Sequence, residues 1–369
     1  MTKHLYLPLI LSISLFGCGR PRLDKPAIND LKADHLEATQ IDTLYQLTNQ
    51  FPDQTQFAIA LIQNGQVQYV GTKRMQDKLV VIENHKSAFE IGSITKVFAA
   101  IMLAHFVIDG KVELDGTINE QFDFPFHKNL EFTYVELANH TSGLPRLPSN
   151  MMLAAIFSQK DPYKKYTDQK LDAYLKNDVS LEYEKGTKSA YSNLGMGLLS
   201  YALRKQSGRS FEDLAKELIF DKYNMLHSTT DRSLVADILV EGLDARGRPT
   251  PNWTPGALIG AGGIYSTVED LVKFASAQFD STQTALALTR EITFTENEFR
   301  DVGLGWFVIN TKRGSKWYWH NGGTGGYSSS MALDVAKKNG VIVLSNISSY
   351  HSQFENIDKL CFALLHSLE

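Results

Sequence analysis

The sequence predicts an α+β fold, an antiparallel sheet flanked by helices with a mostly helical lobe inserted into it, and three observations point there. Four short β-rich runs crowd the C-terminal part: Trp306-Phe307-Val308-Ile309, Trp317-Tyr318-Trp319, Ser328 to Leu333, and Val341-Ile342-Val343-Leu344. Short polar turns join them, and an apolar helix around Leu360-Cys361-Phe362-Ala363-Leu364-Leu365 closes them. Near the other end, Phe57 to Ile62 and Val67 to Val70 flank Asn64-Gly65, a hairpin signal because both turn positions need positive φ. Between these ends the patterning is helical.

In chain order, Ile41, Leu44, Tyr45 and Thr48 trace one face of a first helix, and Val97 to Ala104 form an apolar one. Leu171, Tyr174 and Leu175 share a face, as do Phe211, Leu214 and Leu218. The latter helix follows Ser210, whose Ser-x-x-Asp spacing is a capping box; Ser266 and Glu269 are expected to open a further helix in the same way. We place the folded domain at 37–369 and the helical insertion at 111–260. A chain of 369 residues, 43% of them hydrophobic, can bury one large core or two abutting ones. Its formal charge of −4 gives no reason to expect nucleic-acid binding.

Residues 1–18 have the form of a signal peptide: a basic start, a short apolar run and a small residue before Cys18. The run is too short for a membrane span. Leu15-Phe16-Gly17-Cys18 resembles a bacterial lipobox, which implies a lipid anchor at Cys18, with simple secretion after cleavage as the alternative; Gly19 rather than Asp after it suggests outer-membrane delivery on the periplasmic side. Residues 19–36, with Pro21 and Pro26 among mixed charges, read as a tether. Only two cysteines occur, so a disulfide framework and a cysteine metal site are not expected, and Cys361 reads as a buried free thiol.

Chemistry concentrates in three places. Ser93-Ile94-Thr95-Lys96 puts a serine and a lysine three apart at the mouth of the apolar helix, on one face. A lysine amine kept neutral by burial or a second cation can take the serine proton, and the helix N-terminus favours negative charge on an attacked carbonyl oxygen. Alone, the same residues also read as a cap serine and a solvated first-turn lysine. Tyr191-Ser192-Asn193 is a Tyr-x-Asn at the entry to another helix: the phenol can relay a proton, and the amide can hold a lysine or a substrate carbonyl. It equally suits a core tyrosine beside a helix cap. Finally His320-Asn321-Gly322-Gly323 ends a strand in a glycine-rich turn, able to bring a backbone N–H to an oxyanion or simply to make a hairpin.

The three in this order resemble the serine β-lactamase and penicillin-binding superfamily, in its class C-like branch with D-alanyl-D-alanine carboxypeptidases, D-aminopeptidases and family VIII carboxylesterases. Three further segments carry the likeness: Asn139-His140-Thr141-Ser142-Gly143-Leu144-Pro145, Ala261-Gly262-Gly263-Ile264-Tyr265-Ser266-Thr267, and Gly303-Leu304-Gly305-Trp306. The resemblance implies the β-lactamase/transpeptidase-like fold, with Ser93 as nucleophile, Lys96 as its activator and Tyr191 as acid/base. Asn193 would hold lysine and substrate, His320, Asn321 and Gly322 would bind substrate, and the N–H groups of Ser93 and Gly323 would form the oxyanion hole. Where class C β-lactamases carry Lys-Thr-Gly this chain has His320-Asn321-Gly322, and Glu184-Lys185-Gly186 stands where many relatives have Pro-Gly.

Other chemistries are excluded by their missing signatures. Neither Gly-x-Ser-x-Gly, Gly-x-x-x-x-Gly-Lys nor His-Glu-x-x-His occurs. His85, His105, His227, His351 and His366 form no ligand spacing, and His140 reads as ordering its loop, so no metal or cofactor is expected. The expectation is an envelope serine hydrolase working by acyl transfer on a small-molecule or peptide substrate: esters or D-amino-acid peptides, then β-lactams. A penicillin-sensing protein that acylates with little turnover is a competing class. A histidine in place of the lysine implies weak carboxylate recognition, which favours esters.

Overall fold

The computed structural model describes residues 24–33, 36–151 and 160–369, and within them ten strands join one sheet. The chain opens with β1 (Ile28–Asp30) and α1 (Ala38–Thr48), followed by β2 (Gln56–Gln63), β3 (Gln66–Met75) and β4 (Lys78–Ile82). Asn64 and Gly65, at φ 51° and 79°, make the expected turn between β2 and β3. A short strand β5 (Ala88–Glu90) then leads through the single turn Gly92–Ile94 into α2 (Thr95–Ile108).

The next stretch contributes no strand to the large sheet. It holds α3 (Tyr134–Ala138), α4 (Asp168–Asn177), α5 (Asn193–Ser207) and α6 (Phe211–Ala215), whose last turn widens over Lys216–Phe220. Ser210 caps α6 by accepting from Asp213 N at 3.0 Å. The chain returns through β6 (Tyr265–Thr267), which pairs with β5, and α7 (Val268–Gln278). The cap of α7 is Thr267, accepting from Asp270 N at 3.0 Å, one residue beyond the expected Ser266–Glu269 box. Ser266 lies in β6 instead, its hydroxyl 2.8 Å from that of Ser228.

After α8 (Thr284–Arg290) come β7 (Phe294–Asn297), β8 (Arg300–Val302), β9 (Phe307–Asn310), β10 (Lys316–Gly323), β11 (Ser328–Asp334) and β12 (Asn339–Ser345), with α9 (Glu355–Ser367) last. The large sheet runs β1-β4-β3-β2-β12-β11-β10-β9-β8-β7. All its pairings are antiparallel except β1 with β4. Its centre is buried on both faces, and the two-residue period of a strand sorts the side chains. Phe57, Ile59, Leu61, Val341 and Val343 pack with Leu44, Leu360 and Leu364 of α1 and α9. Ala58, Ala60, Ile62, Ile342 and Leu344 join the larger core that contains α2, α5 and α7.

The first strand revises one expectation. Ile28–Asp30 pairs in parallel with Lys78–Val80, and Ala27 and Ala33 are buried, so part of the stretch read as a tether belongs to the fold. The signal sequence and Cys18 lie outside the described residues. Cys361 is buried and free, its thiol 3.4 Å from the Val341 carbonyl. No helix among the described residues is long and apolar enough to cross a membrane.

Candidate active site

Two backbone approaches build the site. Strand β10 pairs with β9 only as far as Trp319, so residues 320–323 leave the β9 side of the strand open, and the Gly92–Ser93 turn fills that opening. The approach is close enough to demand glycine on both sides. A Cβ on Gly92, at φ +51°, would meet Gly323 N at 2.6 Å, and one on Gly322 would meet the Ile91 carbonyl oxygen and Ser93 N. Ser329 of β11 fastens the same joint by donating to the Ile91 carbonyl at 2.8 Å. The N–H-bearing backbone of Ser93 and Gly323 is thereby brought to one spot beside the serine hydroxyl.

One turn into the helix, Lys96 is fully buried with Nζ 2.9 Å from Ser93 Oγ, and it donates to the Ala261 carbonyl at 2.6 Å. Burial first, and the positive charge of Arg146 second, hold its pKa well below that of an ordinary lysine. The Tyr191 ring lies 4.7 Å from Nζ, and its hydroxyl is within hydrogen-bonding reach of Ser93. Burial pushes the Tyr191 phenol up to about 12, so it is protonated at neutral pH. A depressed amine and a raised phenol assign the protons: the amine is the available base, the phenol the available donor.

Asn193 starts α5 and lines the cleft with Ser93, Tyr163, Trp253, Gly262 and Gly323. Its amide nitrogen donates to Tyr163 Oη at 3.2 Å while the buried Oδ1 has no partner. The Ala261 carbonyl, rather than Asn193, holds the lysine.

Strand alternation decides the last motif differently from the sequence expectation. His320 is 1% exposed and is absent from the cleft lining; it sits behind the proton donor, backing Tyr191 and Phe307 at ring separations of 6.2 and 5.6 Å. Its Nδ1–H donates to the Asn321 carbonyl at 2.6 Å, and Nε2 is without a partner. Burial and the nearby Lys96 push its pKa down to about 3, so the ring is neutral. Asn321 points to the opposite face and donates to Asp358 of α9 at 2.7 Å, a fastening of strand to helix rather than a substrate contact. Gly322 contributes its missing side chain.

Residues outside the three motifs also shape the site, among them His140, read from the sequence as ordering its loop. His140 packs 4.8 Å from the Tyr191 ring and accepts from Ser192 N at 3.3 Å, fixing the turn that presents the tyrosine. The Arg146 guanidinium carbon lies 5.0 Å from the centre of the same ring. Glu90, just before the nucleophile turn, accepts from Asn252 Nδ2 at 2.8 Å and Trp253 N at 3.0 Å, holding the cleft wall. Away from the cleft, His227, Glu269 and Asp270 gather ligand atoms within 4.8 Å, but Asp270 is already engaged by Lys273 at 2.8 Å and Ser228 at 3.0 Å.

The family model described as Beta-lactamase matches residues 46–360. This chain belongs to the beta-lactamase family. Among its relatives, a D-alanyl-D-alanine-carboxypeptidase/endopeptidase, AmpH, of Escherichia coli (strain K12) is 28% identical over 73% of this chain and 74% of its own. A beta-lactamase of Pseudomonas fluorescens is 26% identical over 72% and 73% respectively. Penicillin-binding protein 4* of Bacillus subtilis (strain 168) is 26% identical over 70% of this chain and 61% of its own. The fold matches the solved structure of a beta-lactamase/D-alanine carboxypeptidase from Pseudomonas syringae with a TM-score of 0.71, at 20% identity, covering 90% of this chain and 98% of that one. The α+β architecture of this beta-lactamase family member is therefore the β-lactamase/carboxypeptidase fold.

Proposed function

We propose that the protein is a serine hydrolase that cleaves esters or D-amino-acid peptides through an acyl-enzyme. The observation that carries this reading is the buried amine of Lys96 set 2.9 Å from Ser93 Oγ. As Ser93 Oγ bonds to the substrate carbonyl carbon, its proton passes to the Lys96 amine and negative charge moves to the carbonyl oxygen, facing the backbone N–H groups of Ser93 and Gly323. Collapse of that intermediate breaks the bond to the leaving group, which takes a proton from Tyr191; the phenol is refilled from Lys96. Water then attacks the acyl carbon with the same groups acting in reverse, restoring the serine.

A neutral fluorophosphonate tests this directly, because only an activated serine attacks it. Labelling should map to Ser93 and vanish in Ser93→Ala; an adduct on Ser142, Ser266 or any other serine overturns the mechanism. We place the enzyme on the periplasmic side of the cell envelope, held by a lipid at Cys18, a reading supported by Gly17-Cys18 after the apolar run. Cys18→Ser should move it from the detergent phase to the soluble fraction or leave it unprocessed. A mature protein without lipid mass at Cys18 refutes that placement.

A further inference from the structure

Arg146 directly follows the Leu144-Pro145 end of the loop that packs against Tyr191. Its backbone is fixed: its carbonyl accepts from Leu194 N at 3.1 Å in the first turn of α5, and the preceding Pro145 carbonyl accepts from Ser192 Oγ at 2.7 Å. Its side chain is not. The guanidinium carbon lies 5.0 Å from the Tyr191 ring centroid, and no carboxylate, carbonyl or hydroxyl among the described residues accepts a hydrogen bond from it. Arg204, also half-buried, and the more deeply buried Arg74 show the usual outcome: Arg204 pairs with Asp168 at 2.7 Å and Arg74 donates to four backbone carbonyls. A half-buried guanidinium whose donors are taken by no protein group is free to receive a ligand.

The surroundings fit such a ligand. The Arg146 guanidinium lies 5.0 Å from the Tyr191 ring, and its charge also reaches the phenols of Tyr163 and Tyr350, two rings that Trp253 approaches at 5.3 and 6.5 Å. At its site end, residues 320–323, strand β10 supplies no competing cation, because His320 is buried and neutral. A planar five-donor fork matches a carboxylate with two parallel hydrogen bonds.

We propose that Arg146 is a specificity-determining residue that receives a carboxylate carried by the substrate next to its scissile bond. The proposal rests on the acyl-transfer reading and narrows it. A D-amino-acid peptide with a free C-terminus carries that carboxylate, whereas a short neutral ester does not. This reverses the preference for esters inferred from His320 alone.

The test compares two thioesters of one N-acyl-D-alanine, with thioglycolate and with thioglycolamide as leaving group, which differ only in the carboxylate. The unmodified protein should show kcat/KM higher for the carboxylate by about tenfold to a hundredfold. In Arg146→Gln that ratio should collapse toward one, and Arg146→Lys, which keeps a charge without the fork, should fall between. No preference in the unmodified protein, or equal losses on both thioesters in either variant, overturns the proposal, because a role confined to keeping Lys96 neutral would slow both substrates alike. Fluorophosphonate labelling of Ser93 in the same samples separates the two levels. A labelled Ser93 with no carboxylate preference defeats Arg146 alone, and an unlabelled Ser93 defeats the acyl-transfer reading.

Discussion

Lys96 and Ala261, 165 residues apart in the chain, meet through a 2.6 Å hydrogen bond from Nζ to the carbonyl oxygen. The acceptor fixes where the amine sits without neutralising a charge on it, since a backbone carbonyl brings a dipole and no proton of its own. Burial then favours the uncharged amine, which is what a base toward Ser93 requires. A carboxylate in the same place would have done the opposite.

Lys96→Arg should therefore inactivate the enzyme although it keeps a cation at the position. Arginine stays protonated, so it has no lone pair for the Ser93 proton. We expect kcat/KM to fall on the order of a thousandfold, with Ser93 labelling slowed in parallel. In the unmodified protein kcat/KM should rise with pH through the depressed Lys96 pKa, because the free amine is the active form, and this ascending limb should lie well below the pH at which an ordinary lysine titrates. Retained activity in Lys96→Arg would assign the base to another group.

Gly322→Ala tests the joint between β10 and the nucleophile turn. The added methyl would meet the Ile91 carbonyl, Ser329 Oγ at 2.5 Å and Ser93 N at 2.9 Å, and all three belong to fixed backbone or a buried strand. Pushing the strand away separates the two N–H donors, for which we expect acylation slowed by about a hundredfold or more and a stability loss of about 1–3 kcal/mol. Stopped-flow labelling and thermal unfolding read the two effects separately; unchanged labelling would remove Gly323 from the oxyanion hole.

Glu90 gives a pH-dependent stability. Burial raises its carboxyl to about 7 against the hydrogen bonds from Thr324, Asn252 and Trp253. The folded protein thus holds a proton on Glu90 that the unfolded chain releases near pH 4.5, so this contribution is fully present below about pH 4.5 and declines as pH rises to about 7. The full span is about 3 kcal/mol. Glu90→Gln keeps the acceptor for Asn252 and Trp253 and should flatten Tm against pH across that window; an unaltered slope would place the titration elsewhere.

Short motifs made much of the site legible. Ser93 and Lys96 share a face through their three-residue spacing at the mouth of α2, Tyr191 and Asn193 flank the Ser192 cap of α5, and the structure brings all four together. Asn321 was misplaced, although the two-residue period of β10 held the clue: with His320 on the Tyr191 side, its neighbour must face α9. The Ala261 carbonyl left no trace because a backbone acceptor has no residue identity. Glu90 did leave one, a lone acid between Phe89 and Ile91. Ile28–Asp30 and β7 are the two edge strands of the sheet and need few apolar residues, and β8 is only three residues long, Arg300-Asp301-Val302, with one apolar side chain.

The pairing of β2 with β12 sets the order of events during synthesis. Gln56 N donates to Asn346 Oδ1 at 2.7 Å across 290 residues, and the centre of the sheet closes only when the C-terminal strands have been made. Ser93 emerges early, but Tyr191, Ala261 and Gly322 reach it from progressively later parts of the chain. Under the proposed mechanism, a nascent or truncated polypeptide carries the serine without its base held in place, its proton donor or its second oxyanion N–H, and activity would arrive only with the folded C-terminal strands.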